Sequence, residues 1–276
     1  MPQNADHRWE RLTAPELRAL AARNALVLLP VASLEQHGPH LPVWTDSLIG
    51  HSACLRAAAL ASDVPSVVLP PMWLGLSEHH LPFGGTISLD YDTMHRVLRG
   101  VCRSLKAQGF GRLFLVNSHG GNIDPLAVAA RELCAEFAMP VVAGTVFRLD
   151  MPGIAALLDT QPGVQHACEA ETSLVMHLAP ELVRREQIAH SLSDPALPTP
   201  EGLHRFWSFA ERAPATGVIG DPRAATVEKG EKLLEVMAAS LVAAMRDPVA
   251  WRRPHAVWQG GAAEPWGNTP PPPAQG

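Results

Sequence analysis

A chain of 276 residues, 47% of them hydrophobic, can bury one large α/β core and is too apolar to be disordered. Its net charge of −5, from 22 basic and 27 acidic residues, excludes the basic surplus of a general nucleic-acid binder. No uninterrupted apolar run reaches membrane-spanning length and MPQNADHRWERL lacks a signal peptide's apolar core, so a cytoplasmic protein without membrane partners is expected.

Residues 14–23 carry helical spacing, and 26–33 (LVLLPVAS) form a continuous apolar run, as in a strand buried on both faces. The loop EQHGPHLPVWTD leads to a helix from about Asp46 to Ala61. A second strand is expected at 65–71, then a long loop, then a helix over 91–108 closed by Gly109. RLFLVN (112–117) is the third strand and runs straight into SHGGN; a helix over 124–138 follows, capped near Asn122 or Asp124. The fourth strand is 140–147, with helices at 169–179 and about 223–245. Alternation of this kind predicts a single-domain, three-layer α/β/α fold with a mostly parallel sheet over 1–250. A Pro-rich tail is expected over 251–276.

Ligands of parallel α/β sheets bind beyond the carboxyl ends of the strands, and the histidine-bearing segments fall there. Glu35 and His37 follow the first strand, His79 and His80 lie in the loop after the second, and His119 follows the third. In extended backbone Glu35 and His37 face one side while Gln36 faces the other. Asp46, at a helix N-terminus, stays ionised beside the dipole. Imidazole and carboxylate together suit zinc, manganese or iron. Each segment also has a plain structural reading: Glu35 and His37 as loop residues, SHGGN as a tight turn, and HACEAETS (166–173) as a solvated acidic helix start. The cysteines at 54, 102, 134 and 168 form no CxxC pair, which excludes a zinc ribbon or a thioredoxin-type motif. Ser118 has no G-x-S-x-G elbow around it, which speaks against a serine hydrolase.

Taken together, LPVASLEQHGPHLPVWTD (29–46), SEHHLPFGGTISLD (77–90), VNSHGGN (116–122), HACEAETS and GVIGDPRAATVEKGEKLLE (217–235) resemble the creatininase (creatinine amidohydrolase) family. The resemblance implies a pair of divalent metal ions, zinc first with manganese or iron as alternatives, held by Glu35, His37, Asp46 and His119, with Asp46 bridging. It implies His166 and Glu171 as proton-transfer residues. Creatinine-specific members carry a glutamate ligand where this chain has Asn122. The SHGGN branch takes its carboxylate from the HAGE-type segment, which makes Glu169 the expected fifth ligand and creatinine a doubtful substrate. Cys168 stands where that segment usually has glycine, and Gly84 where proline is usual. Trp44, Ser77, Glu78 and His80 are the expected substrate contacts, with His79, His40 and Trp73 as further candidates. The implied activity is hydrolysis of a non-peptide carbon–nitrogen bond in a small-molecule amide, lactam or formamide. A peptide-trimming maturase, or a non-catalytic metal-binding or ligand-binding protein on this fold, is the alternative. A homohexamer is expected by the same analogy.

Overall fold

Apolar residues on both faces make the four strands central to the molecule. The computed structural model describes residues 6–192 and 205–255. Strands β1 (Leu26–Val31), β2 (Ser66–Val68), β3 (Leu113–Asn117) and β4 (Val141–Thr145) pair in parallel in the order β2-β1-β3-β4. Alternate residues of β1 and β3 separate the core into two layers. Leu26, Leu28, Phe114 and Val116 pack on α2 (Thr45–Leu60), α6 (Glu169–Leu178) and α8 (Val227–Arg246). Val27, Leu29, Leu113 and Leu115 pack on α1 (Ala14–Ala22), α3 (Tyr91–Ala107) and α4 (Ile123–Phe137). This is the predicted three-layer α/β/α arrangement. Pro30 is tolerated in a central strand because the amides of its alternate neighbours face β2, whose pairing ends at Leu28↔Val68. The missing N–H therefore interrupts no ladder bond.

Boundaries follow local chemistry. Asp90 caps α3 by accepting from the Thr93 amide, and Gly109, at φ +88°, turns the chain just past it. The last helix begins at Val227 rather than near 223. Asp221 caps a 3-10 turn at Pro222–Ala224, and Thr226 then caps α8 by accepting from Lys229. Two short helices, α5 (Met151–Ala155) and α7 (Phe209–Arg212), and a 3-10 segment at Glu78–Phe83 lie in stretches without a periodic signal. Gly84 has φ +77°, a conformation closed to proline, which accounts for the residue found there. Residues 256–276, most of the expected tail, lie outside the described residues. Among the described residues no helix is long and apolar enough to cross a membrane.

Candidate metal centre

The loops after β1, β2 and β3 and the start of α6 converge at the carboxyl ends of the strands, on a cavity of about 710 Å³. Glu35, Asp46, His80, His119, His166 and Glu171 line it, and all but His166 are buried residues. Glu35 lies between two pairs of groups. Its Oε2 accepts from Ser77 Oγ at 2.7 Å and faces His119 Nδ1 at 3.0 Å. Its Oε1 lies 3.3 Å from His80 Nε2 and 3.5 Å from His166 Nδ1. The two oxygens of Asp46 lie 3.2 Å from His37 Nε2 and 3.2 Å from His119 Nδ1. Glu171 Oε2 lies 3.8 Å from His37 Nε2 and accepts from the Ala167 amide.

Backbone carbonyls orient the imidazoles. His37 Nδ1 donates to Glu35 O at 3.1 Å, His119 Nε2 to Leu76 O at 3.0 Å and His166 Nε2 to Gln36 O at 2.8 Å. Each ring therefore turns an unprotonated nitrogen toward the carboxylates. Gln36 spends its two amide hydrogens on Gly217 O and His80 Nδ1, so His80 presents Nε2–H to Glu35 as a donor.

Lone pairs facing carboxylate oxygens call for a positive charge between them. His37 Nε2 and Asp46 Oδ2 are buried without a hydrogen-bond partner. Without a cation, protons fill the role. Burial opposes charging His37, yet Asp46, Glu171 and Glu35 hold it up at about 10. His119 is driven well above its ordinary value by Glu35 and Asp46, again against burial. Burial and the Asp46 and Glu35 carboxylates push Glu171 up to about 8. Burial and the neighbouring His37 hold His166 well below its usual range, in its neutral form. The donor set fits divalent cations: Glu35, His37 and Asp46 form one group with metal-ligand spacing, and His37, His166 and Glu171 another.

Glu169 does not join them. Its oxygens accept from the amides of Asp159 and Thr160, from Thr160 Oγ1 and from Lys229 Nζ. It points toward α8, and the expectation that it is the fifth ligand is corrected. Two residues further around the helix, Glu171 faces the centre instead. Trp44 and Glu78 are exposed and line no part of the cavity; Glu78 accepts from Ser88 Oγ at 3.3 Å. Ser77 stands behind Glu35 rather than in the cavity. His79 and His80 both line it; His40 is buried against Thr172, and Trp73 lies on a separate apolar groove. Ser118 is tied to Asp46 O at 2.8 Å. Cys168 is buried in the core. Sequence reasoning missed Gln36 as an organiser, and it missed Phe206, Trp207, Phe209 and Arg212 on the rim. The only hint for the latter was the aromatic and basic cluster RFWSFAER at 205–212, outside the matching blocks.

The family of creatinine amidohydrolases (creatininase) matches residues 10–245. The chain belongs to the creatininase family. The creatinine amidohydrolase of Pseudomonas putida is 30% identical over 256 residues, covering 86% of this chain and 95% of its own. A crystal structure of creatinine amidohydrolase superposes with a TM-score of 0.76 at 28% identity, covering 88% of this creatininase-family chain and 97% of that one. The mycofactocin precursor peptide peptidase of Mycobacterium ulcerans (strain Agy99) is 34% identical over 223 residues, covering 78% of this chain and 82% of its own. That comparison overturns the expectation of a non-peptide carbon–nitrogen bond, since the relative of higher identity is a peptidase.

Proposed function

We propose that this creatininase-family protein is a metal-dependent peptidase that trims a precursor peptide, of the branch marked by SHGGN and a HAGE-type segment rather than the creatinine-specific one. The observation that carries the reading is the convergence of three oriented imidazole lone pairs on three buried carboxylates, at the floor of a cavity walled by aromatic and arginine side chains. Two divalent ions, zinc first and manganese or iron as alternatives, would be held by Glu35 and His119 on one side and His37 and Glu171 on the other. Asp46 would be shared between them. When bound, such ions supply Lewis acidity that brings the pKa of water to about 7.

The chain's own groups do the rest. His166 has its Nε2–H committed to Gln36 O and its unprotonated Nδ1 turned toward Glu35 and the cavity, which suits it to take a proton and return it to the leaving amine. The leaving nitrogen of a peptide departs poorly unless protonated, so this is the step where a neutral, largely enclosed imidazole matters. His80 steadies Glu35 through its Nε2–H, and Phe209, its ring tilted 31° with its centre 3.9 Å from that of the His80 ring, limits water around both. The four cysteines are free thiols, as suits a reducing compartment, and the reading has the protein act in the cytoplasm as a homohexamer.

Metal analysis of the purified protein, with a hydrolysis screen of short peptides against cyclic amides and formamides, tests the proposal. About two equivalents of metal and cleavage of peptides alone are expected. Hydrolysis of the cyclic amides with peptides untouched would reject it.

A further inference from the structure

The rim of the cavity carries a cation that has no counter-charge among the described residues. Arg148, Arg205 and Arg212 all line it, and among the described residues Asp124 is the one carboxylate beside them on the rim. Arg205 is engaged: it pairs with Glu211 at 2.9 Å and lies 3.6 Å over the Trp207 ring. Glu211 is fully used, because it also accepts from the amide and hydroxyl of Ser208 in the capping box that starts α7. Arg148 is exposed and well hydrated. Arg212 differs from both. It is half-buried, and its guanidinium lies 5.4 Å from the centre of the Phe209 ring. Among the described residues no carboxylate pairs with it, and burial lowers its pKa without any acidic neighbour to offset that.

A guanidinium held partly out of water, beside an aromatic face and unpaired, is stabilised by whatever anion a ligand brings. Its position gives that anion a function. The Phe209 ring that Arg212 overhangs lies 3.9 Å from the His80 ring and 4.7 Å from that of His166. Those two imidazoles face Glu35 at the centre. An extended peptide advances about 3.3–3.6 Å per residue. A group seated on Arg212 is therefore within reach of a scissile bond one to three residues away.

We propose that Arg212 receives a carboxylate of the peptide substrate and so sets which bond is cut, counted from that anionic group. The inference rests on the peptidase reading and adds its specificity. The chemistry is a carboxylate, which a peptide can offer at its C-terminus or on an Asp or Glu side chain.

The test uses the full-length, metal-loaded protein and matched peptides of three kinds: a free C-terminal acid, the same sequence as C-terminal amide, and amides differing by Glu or Gln near the cleavage site. Peptides bearing a carboxylate should be cleaved with about ten- to a hundredfold higher kcat/KM, the range of a charge-assisted hydrogen-bonded pair. The acid/amide and Glu/Gln arms tell which source is read. Arg212→Met should remove that preference, so that charged and uncharged peptides are cleaved alike, and Arg212→Lys should keep part of it. Arg212→Gln serves if the methionine variant does not fold. Binding of an acetylated dipeptide acid and its amide to the metal-free protein gives a readout free of turnover, with the acid favoured only when Arg212 is present. Equal cleavage of all peptides by the wild type, or a preference that survives in Arg212→Met, overturns this inference and leaves the peptidase reading standing. No cleavage of any peptide overturns the peptidase reading and this inference with it.

Discussion

Two glutamates separated by one alanine at the start of α6 have opposite tasks. Glu171 faces the imidazoles of the centre, and Glu169 closes a latch to Lys229 and the 159–160 turn. Glu171→Gln should lower metal content and activity together while leaving the fold intact. Glu169→Gln should keep its metal and instead lose about 1.5–3 kcal/mol of stability, the scale of a hydrogen bond to a charged group. Metal analysis and thermal melts of the two variants separate the roles; metal loss in Glu169→Gln with none in Glu171→Gln would reverse the assignment. HACEAETS shows both carboxylates, but their division depends on helix phase and on where α8 passes, neither of which an eight-residue segment contains.

At the scale of elements, the turn after β3 works through its lack of side chains. A Cβ on Gly121 would stand 2.4 Å from Leu76 O and 2.5 Å from His119 Nε2, the two atoms whose contact orients that ring. Gly121→Ala should cost about 1–3 kcal/mol by overpacking. Displacing an outer partner of a ligand should weaken zinc binding about 10–100-fold. Zinc titration beside a melting curve checks both, and unchanged zinc affinity would show that the Leu76 carbonyl does not set the His119 ring. What crowds Gly121 is the loop after β2, through Leu76 O, and the His119 ring itself.

For the whole molecule, the centre couples stability to pH. In metal-free protein the His37 imidazole, held up at about 10, stabilises the fold below its ordinary value of 6.5, and that stability is lost as pH rises through 10. Glu171, raised to about 8, acts in the same sense, disfavouring the fold as pH climbs from 4.5 through 8. Asp46 acts at the acid end. Burial opposes its charge but His37 and His119 hold its pKa low, so its contribution is present above 3.8 and lost on further acidification. The melting temperature with chelator present should therefore fall between pH 6.5 and 9. Zinc should restore more of it the higher the pH, releasing protons as it binds. Calorimetry in buffers of different ionisation enthalpy reads that release. A metal-free melt that does not fall over this range, with no protons released by zinc, would remove the cation from the account.

The strand and helix order, the parallel sheet and the positions of Glu35, His37, Asp46 and His119 behind the strands were legible in the sequence, because apolar period and strand-end placement are local properties. Which carboxylate of α6 turns inward, and which histidine nitrogens are free, depended on contacts between residues far apart in the chain: Gln36 with Gly217, His119 with Leu76, Glu169 with Lys229. The arginine and aromatic rim of 205–212 joins the cavity through packing of Phe209 on His80 and His166 and of Phe206 on His79, contacts that no spacing along the chain encodes.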